Sequence, residues 1–251
     1  MTPGFGLLFV QILFTLAVGL AVGSFLNVVI YRVPRGMSIA WPPSHCPVCQ
    51  HRLSWKDNIP LLSYALLRGR CRYCGARISL QYPLVEAANA LLYLLFLWRF
   101  GFHPGLVFLW AMASGALALA VIDLQHHRLP DPLTLGLGLL GLGFHTLHHH
   151  LIYAVLGAGI GLLMGGLIFA LATWVYGPEA FGLGDVKYLG ALGAWGGPFA
   201  VPIMLFLASF LGTLVGLVLA WRRRSLRVGV PFGPFLSLAL VLTTLFAQRI
   251  M

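Results

Sequence analysis

Long uncharged runs separated by short polar breaks dominate the chain. Residues 4–31 contain no charged side chain. A helix rises 1.5 Å per residue and needs about 20 apolar residues to cross a bilayer, so this run predicts a first membrane span. It lacks the basic leading segment of a secretory signal peptide and is read as a retained helix. Residues 32–82 break the pattern with proline, cysteine and basic residues. Apolar runs then resume at 83–98, 104–122, 132–148, 151–176, 186–197, 198–221 and 231–248. The run at 186–197 is short and glycine-rich, and it meets the next one near Pro198. The expected fold is an all-α polytopic membrane protein of about eight transmembrane helices with a small cytoplasmic insert. The expected organisation is a first helix at 1–31, the insert at 32–82, and a seven-helix membrane domain at 83–251.

Composition strengthens this picture. Apolar residues make up 59% of the 251 residues, charged residues only 9%, and the mean hydropathy is +0.90. A soluble domain carries about 25% charge, so an ordinary globule, a coiled coil and a disordered chain are excluded. The net charge of +10 would suggest nucleic acid in a soluble protein. In a membrane protein it is first a topology signal. Eight spans with the insert in the cytoplasm put 14 basic residues on that face: Arg32, Arg35, Arg52, Lys56, Arg68, Arg70, Arg72, Arg77, Arg128, Lys187, Arg222, Arg223, Arg224 and Arg227. Only Arg99 and Arg249 fall outside. Removing the short sixth span would put the cluster from Arg222 to Arg227 outside, against the positive-inside rule. Orientation therefore absorbs most of the basicity. No nucleic-acid partner is expected, and a basic cytoplasmic face is expected to meet anionic membrane lipid.

All four cysteines lie in the insert, as Cys46-Pro-Val-Cys49 and Cys71-Arg-Tyr-Cys74, with 21 residues between the pairs. That spacing suits a zinc-knuckle insert with a tetrahedral four-cysteine site, and so short an insert has little core of its own. Two disulfides or four free thiols are the alternatives, and a reducing cytoplasm argues against the disulfides. A closed four-thiolate site leaves no open position, so such a metal is structural. His45 and His51 read as solvated neighbours rather than ligands.

The six carboxylates can be weighed one by one. Asp123 ends the third span and Asp185 opens the sixth, in Gly182-Leu-Gly184-Asp185-Val-Lys187. Span parity puts both at the cytoplasmic boundary, where ionisable groups default to a functional reading. The helix dipole disfavours an anion at Asp123 and favours one at Asp185. Such an unequal pair suits acid–base catalysis through a shared water. Gly182 and Gly184 would permit close approach and unusual backbone angles. Asp131, before Pro132, reads as a helix N-cap. Asp57 reads as a solvated turn residue and Glu179 as a loop acid. Glu86 reads either as complementing a dipole in the first turn of the second span or as a ligand contact. His145, His148, His149 and His150 read as interfacial polar residues.

Taken in order, these segments resemble a known family. Gly23-Ser-Phe-Leu-Asn27-Val-Val-Ile-Tyr-Arg32-Val-Pro34, the two C-x-x-C pairs, Gln81-Tyr-Pro-Leu-Val-Glu86, Asp123 to Asp131, Gly-Leu-Gly-Asp185-Val-Lys187 and Pro231-Phe-Gly-Pro234-Phe occur in that sequence. The chain resembles the type IV prepilin peptidases, bacterial prepilin leader peptidase/N-methyltransferases of the G-x-G-D aspartic protease type. The resemblance implies a multi-pass protein of the bacterial inner membrane whose active site faces the cytoplasm. It implies removal of the basic leader from type IV prepilins and pseudopilins after a glycine, then N-methylation with S-adenosylmethionine. It assigns catalysis to Asp123 and Asp185, with Gly182, Gly184 and Lys187 as motif support, and makes Asp131 non-catalytic. Asn27 and Glu86 are candidates for the cofactor site only by resemblance and location. His126-His127-Arg128 and Leu129 depart slightly from the usual motif.

Two other classes compete. A transporter or proton relay could use Asp123 and Asp185, although there is no internal repeat and both acids lie at the boundary rather than the midplane. A non-enzymatic membrane anchor for a zinc module would make both aspartates dispensable.

Overall fold

The computed structural model describes residues 3–177, 181–224 and 229–246. Glu179, Arg227 and Arg249 lie outside them. Among the described residues the long elements are all helical: α1 (Pro3–Arg32), α2 (Leu62–Leu66), α3 (Gln81–Phe100), α4 (Leu106–His126), α5 (Asp131–Leu147), α6 (Leu151–Tyr176), α7 (Leu183–Gly196), α8 (Ala200–Arg223) and α9 (Gly233–Phe246). Each expected span corresponds to one of these helices, and α2 is a short helix inside the insert. By length and composition five of them, α1, α3, α4, α6 and α8, can cross a membrane. The chain divides into two compact units, Met1–Ser114 and Gly115–Met251.

In the first unit α1 packs on α3 with almost nothing between the backbones. A Cβ on Gly23 would lie 2.7 Å from the Cα of Glu86, and one on Gly19 would lie 2.8 Å from that of Ala90. Small residues of this kind let apolar helices approach closely in a membrane, where hydrophobicity no longer drives association. Polar side chains then find partners inside the unit. Asn89 donates to the Gly19 carbonyl at 2.8 Å and accepts from Ser114 at 2.8 Å, and Ser114 also meets the Tyr93 hydroxyl at 2.9 Å. Trp110 stacks on Tyr93 with ring centroids 4.8 Å apart and donates to its carbonyl.

In the second unit α7 is the enclosed element. Every residue from Tyr188 to Trp195 is buried. Its 14 residues reach only about 21 Å, short of the ~30 Å hydrocarbon core. A helix sheathed in protein need not match lipid thickness, which accounts for the short, glycine-rich run in the sequence. α6 supplies one wall through the buried face of Gly157, Gly161 and Gly165. A Cβ on Gly161 would collide with the Leu189 carbonyl oxygen, and one on Gly157 with that of Gly193. α5 supplies another wall. Trp195 donates to the Leu137 carbonyl at 2.9 Å, and the His145 ring nitrogen lies 3.0 Å from the Trp195 carbonyl. His145 is thus a buried tie between helices, not an interfacial residue; its interior position arises because it shares a helix face with Phe144 and Gly141.

The glycine face of α6 gives a direct test. Gly161→Leu is expected to destabilise the protein by at least about 1–3 kcal/mol through overpacking. Gly159→Leu, where an added Cβ meets nothing within 4 Å, should leave stability unchanged. Thermal unfolding of the two variants in detergent makes the comparison.

Candidate active site and metal centre

The local sequence brings the two aspartates to their places by different routes. Asp185 is the third residue of α7, after the helix cap at Gly182. Its carboxylate turns back toward the Gly182 backbone. A Cβ on Gly182 would lie 3.0 Å from Asp185 Oδ2. Asp123 lies in the last turn of α4 and is only 6% exposed. Its own helix end offers no donor. The donor comes from α9: the Gly233 amide gives a hydrogen bond to Asp123 Oδ2 at 2.8 Å.

Leu129, in the link between α4 and α5, closes the group. A Cβ on Gly184 would sit 3.2 Å from Leu129 Cβ, and one on Gly233 would sit 3.0 Å from Leu129 Cδ2 and 2.8 Å from Asp123 Oδ2. The glycines are therefore required by contact. Neither Gly182 nor Gly184 has a positive φ, so the unusual backbone angles expected of them are absent. The two carboxylates lie close enough for their charges to interact. Below them Tyr188, fully buried, meets Ser237 at 2.7 Å and joins α7 to α9.

Gly233 is the contributor that sequence reasoning did not assign. The Pro231-Phe-Gly-Pro-Phe run opening α9 was the available signal, since a helix N-terminus presents free amides. Its presence also changes the electrostatics. Asp123 faces the start of α9 while Asp185 lies at the start of α7, so each carboxylate has a helix N-terminus, and the contrast drawn from their own helices no longer holds.

Two other acids need correction. Asp131 is the first residue of α5 rather than its cap, which falls on Pro130. Both of its oxygens accept from Lys187 Nζ at 2.8 Å, so Asp131 and Lys187 form an exposed ion pair linking α5 to α7. Asp57 is not a solvated turn residue. It accepts from Arg72 Nε at 2.6 Å, from the Ser54 hydroxyl and amide, and from the Tyr73 hydroxyl. The Arg72 guanidinium, with these donors, holds its carboxyl well below the usual carboxylate range.

Arg72 and Tyr73 are the middle residues of the second C-x-x-C pair, so Asp57 braces that knuckle. Tyr73 in turn lies against His51, beside the first pair, at 3.6 Å between centroids. The two knuckles have the same backbone form. Cys46 N–H donates to His51 and Cys71 N–H to Ala76, while Gln50 and Gly75 donate back to Cys46 and Cys71. Gln50 and Gly75 both take a left-handed turn, with φ of 57° and 72°. All four sulfurs lie within 4.8 Å of one another, and Cys46 and Cys74 are 3.9 Å apart. No disulfide joins them. Tetrahedral bonds of about 2.3 Å place sulfurs roughly 3.8 Å apart, so the cluster is of a size to hold such an ion. The Cys49 amide leads in pulling the Cys46 thiol down to about 7, while, against the Ala76 amide, burial and the neighbouring sulfurs push the Cys74 thiol up to about 11.

Asn27 and Glu86 also lie in the first unit. Glu86 is the sixth residue of α3, past the first turn, so dipole complementation is not its role. It is buried and accepts the Leu61 amide at 2.8 Å. Asn27 is 2% exposed and donates to the Gly23 and Tyr82 carbonyls. Its Oδ1 is buried with no hydrogen-bond partner.

Comparison with known proteins decides the family. Residues 17–100 match the bacterial peptidase A24 N-terminal domain, and residues 110–217 match the type IV leader peptidase family. A prepilin leader peptidase/N-methyltransferase of Pseudomonas putida is 38% identical over 263 residues, covering 92% of this chain and 89% of the relative. The chain belongs to the type IV leader peptidase family. A relative of the same description from Dickeya chrysanthemi is 39% identical, covering 92% of this chain and 90% of its own length. The type 4 prepilin-like proteins leader peptide-processing enzyme of Escherichia coli is 37% identical over 90% of each chain. No solved structure matches the chain. The leader peptidase match contains Asp123 and Asp185, whereas Gly233 lies beyond it.

The brace on the second knuckle leads to an expectation. Above the ordinary carboxylate pKa of about 3.9 the Asp57–Arg72 contact is fully formed, and it is lost as pH falls through the lowered folded value. Asp57→Ala should make residues 32–82 cleave several-fold faster in limited proteolysis of the intact protein at neutral pH.

Proposed function

We propose that this protein is a membrane aspartic endopeptidase that removes the basic leader from type IV prepilins and pseudopilins, and then N-methylates the new terminus. The carrying observation is that the glycines beside the two aspartates, Gly184 next to Asp185 and Gly233 whose amide holds Asp123, pack on the same residue, Leu129. The family relatives, named for prepilin processing and methylation, support the same reading.

In this mechanism the two carboxylates share one proton. The ionised member takes a proton from water, and the protonated member polarises the scissile carbonyl. No covalent intermediate forms. The Gly233 amide stabilises a charged Asp123 and the start of α7 a charged Asp185, and the two carboxylates titrate as a pair rather than as separate acid and base. The setting is the bacterial inner membrane, with the site at its cytoplasmic face. The basic cytoplasmic residues meet anionic lipid there, and nucleic acid is not a partner.

S-adenosylmethionine supplies an electrophilic methyl group when bound. The unpartnered Asn27 oxygen and the buried Glu86 carboxylate suit a cationic ligand, since both accept hydrogen bonds. They are the proposed cofactor contacts, and Glu86 orients the amine that receives the methyl group. Zinc, held by Cys46, Cys49, Cys71 and Cys74, is structural and ties the knuckles of the insert together.

Asp123→Asn and Asp185→Asn should each lower cleavage of a synthetic prepilin by at least about 1,000-fold, the scale on which loss of an acid–base group acts. Both should still methylate a substrate supplied without its leader. Glu86→Gln should show the reverse pattern. Normal cleavage by either aspartate variant would refute the dyad. The purified protein should carry one zinc per chain by elemental analysis, and Cys46→Ser should lose it.

A further inference from the structure

Part of the insert's surface has the wrong polarity for water. The one buried residue of α2 is Ser63, whose hydroxyl donates to the Lys56 carbonyl at 2.9 Å. Leu62, Ala65 and Leu66 are exposed. Residues at i, i+3 and i+4 share one helix face, so the apolar face of α2 is the uncovered one. The Ser63 bond also ties α2 to the turn at Trp55–Asp57, where Trp55 is 73% exposed.

Charge around this face has one sign. Asp57 is the only acid between residues 32 and 82, and its side chain is just 3% exposed where it meets Arg72. Lys56, Arg68 and Arg70, in the segments flanking α2, are all exposed. Lys56 Nζ lies 5.5 Å from the centre of the Trp55 ring.

A single hydrogen bond fixes the depth of α2. The amide of Leu61, the residue before it, donates to Glu86 at 2.8 Å. Glu86 lies five residues past the start of α3, or about 7.5 Å along it. Helical side chains lean back toward the N-terminus, so the carboxylate reaches the first turns of α3. Those turns already expose Leu84, and α3 is long and apolar enough to cross a membrane. α2 therefore lies at the level where that span begins.

We infer that α2 and Trp55 are docked in the polar–apolar boundary of the bilayer. The leucine face of α2 turns toward the acyl chains, and Lys56, Arg68 and Arg70 meet anionic lipid headgroups. The inference rests on the membrane setting proposed above. Amphipathic segments settle in this plane with basic residues beside an apolar face, and tryptophan favours the same level. Anionic lipid is drawn to such a basic cluster at short range.

The test places the full-length protein, labelled with 5-fluorotryptophan, in nanodiscs of phosphatidylglycerol and phosphatidylcholine, and reads fluorine NMR linewidths. Loss of a signal in Trp55→Phe identifies Trp55, and Leu66→Trp adds a reporter on α2. A lipid bearing a nitroxide just below its headgroup should broaden both signals several-fold more than a water-soluble gadolinium chelate does. Native Trp55 carries the test alone if Leu66→Trp does not accumulate. Replacing Lys56, Arg68 and Arg70 together by glutamine, or omitting phosphatidylglycerol, should reduce the lipid effect several-fold. Trp174 of α6 and Trp221 of α8, both exposed, report on the spans. If the nitroxide lipid broadens those two while the insert's reporters respond only to the chelate, the docking fails and the membrane setting stands. If no tryptophan responds to the lipid, the membrane setting itself fails. Protection of the insert's reporters from both reagents would mean that protein covers α2, and would also overturn the inference. So would a lipid effect that survives loss of the three basic residues or of phosphatidylglycerol.

Discussion

The second unit depends on two helix backbones, α6 and α7, meeting with no side chains between them. Gly157 and Gly161 press on the carbonyl oxygens of Gly193 and Leu189. That contact encloses α7 and permits it to be short. In lipid the hydrophobic effect does not hold helices together, so dispersion across a close backbone interface must do so. A buried α7 gives Asp185 a rigid base, because the residues from Tyr188 to Trp195 are buried while the first turn remains partly exposed. The first unit uses the same device where Gly23 meets Glu86.

The candidate site follows from a second constraint. A carboxylate near apolar surroundings needs donors, and every backbone amide inside a helix is already used. Free amides exist only at helix starts. Asp185 lies at its own helix start against the Gly182 backbone, and Asp123, at a helix end, borrows an amide from α9. Leu129 fits between Gly184 and Gly233, so the three loops that carry the site are packed against one another. Each glycine there answers to a neighbouring atom, not to an unusual backbone angle.

Legibility differed among the parts for physical reasons. The helices and their approximate limits could be read because long apolar runs between polar breaks have few alternatives, while five of them are long and apolar enough to cross a membrane. The cysteine cluster could be read from spacing, because a C-x-x-C turn already sets two sulfurs together. Asp57 was misread because its partners, Arg72 and Tyr73, are 15 and 16 residues away. Asp131 was misread by one position, since Pro130 takes the cap and Lys187, 56 residues on, takes the carboxylate. Gly233 stood in a visible motif, but nothing local says that its amide points at a residue 110 positions earlier.

The amino-acid sequence by itself determined the helical membrane class, the knuckle pairs and the two aspartates at span ends. Those features rest on local composition and on periods shorter than a helix. Only the tertiary structure decided that α7 is enclosed, that α9 supplies the donor for Asp123, and that Phe232 at the start of α9 meets Phe181 before α7. These depend on which helix faces meet. A membrane chain encodes such meetings in small residues and single hydrogen bonds, whose partners no local pattern names.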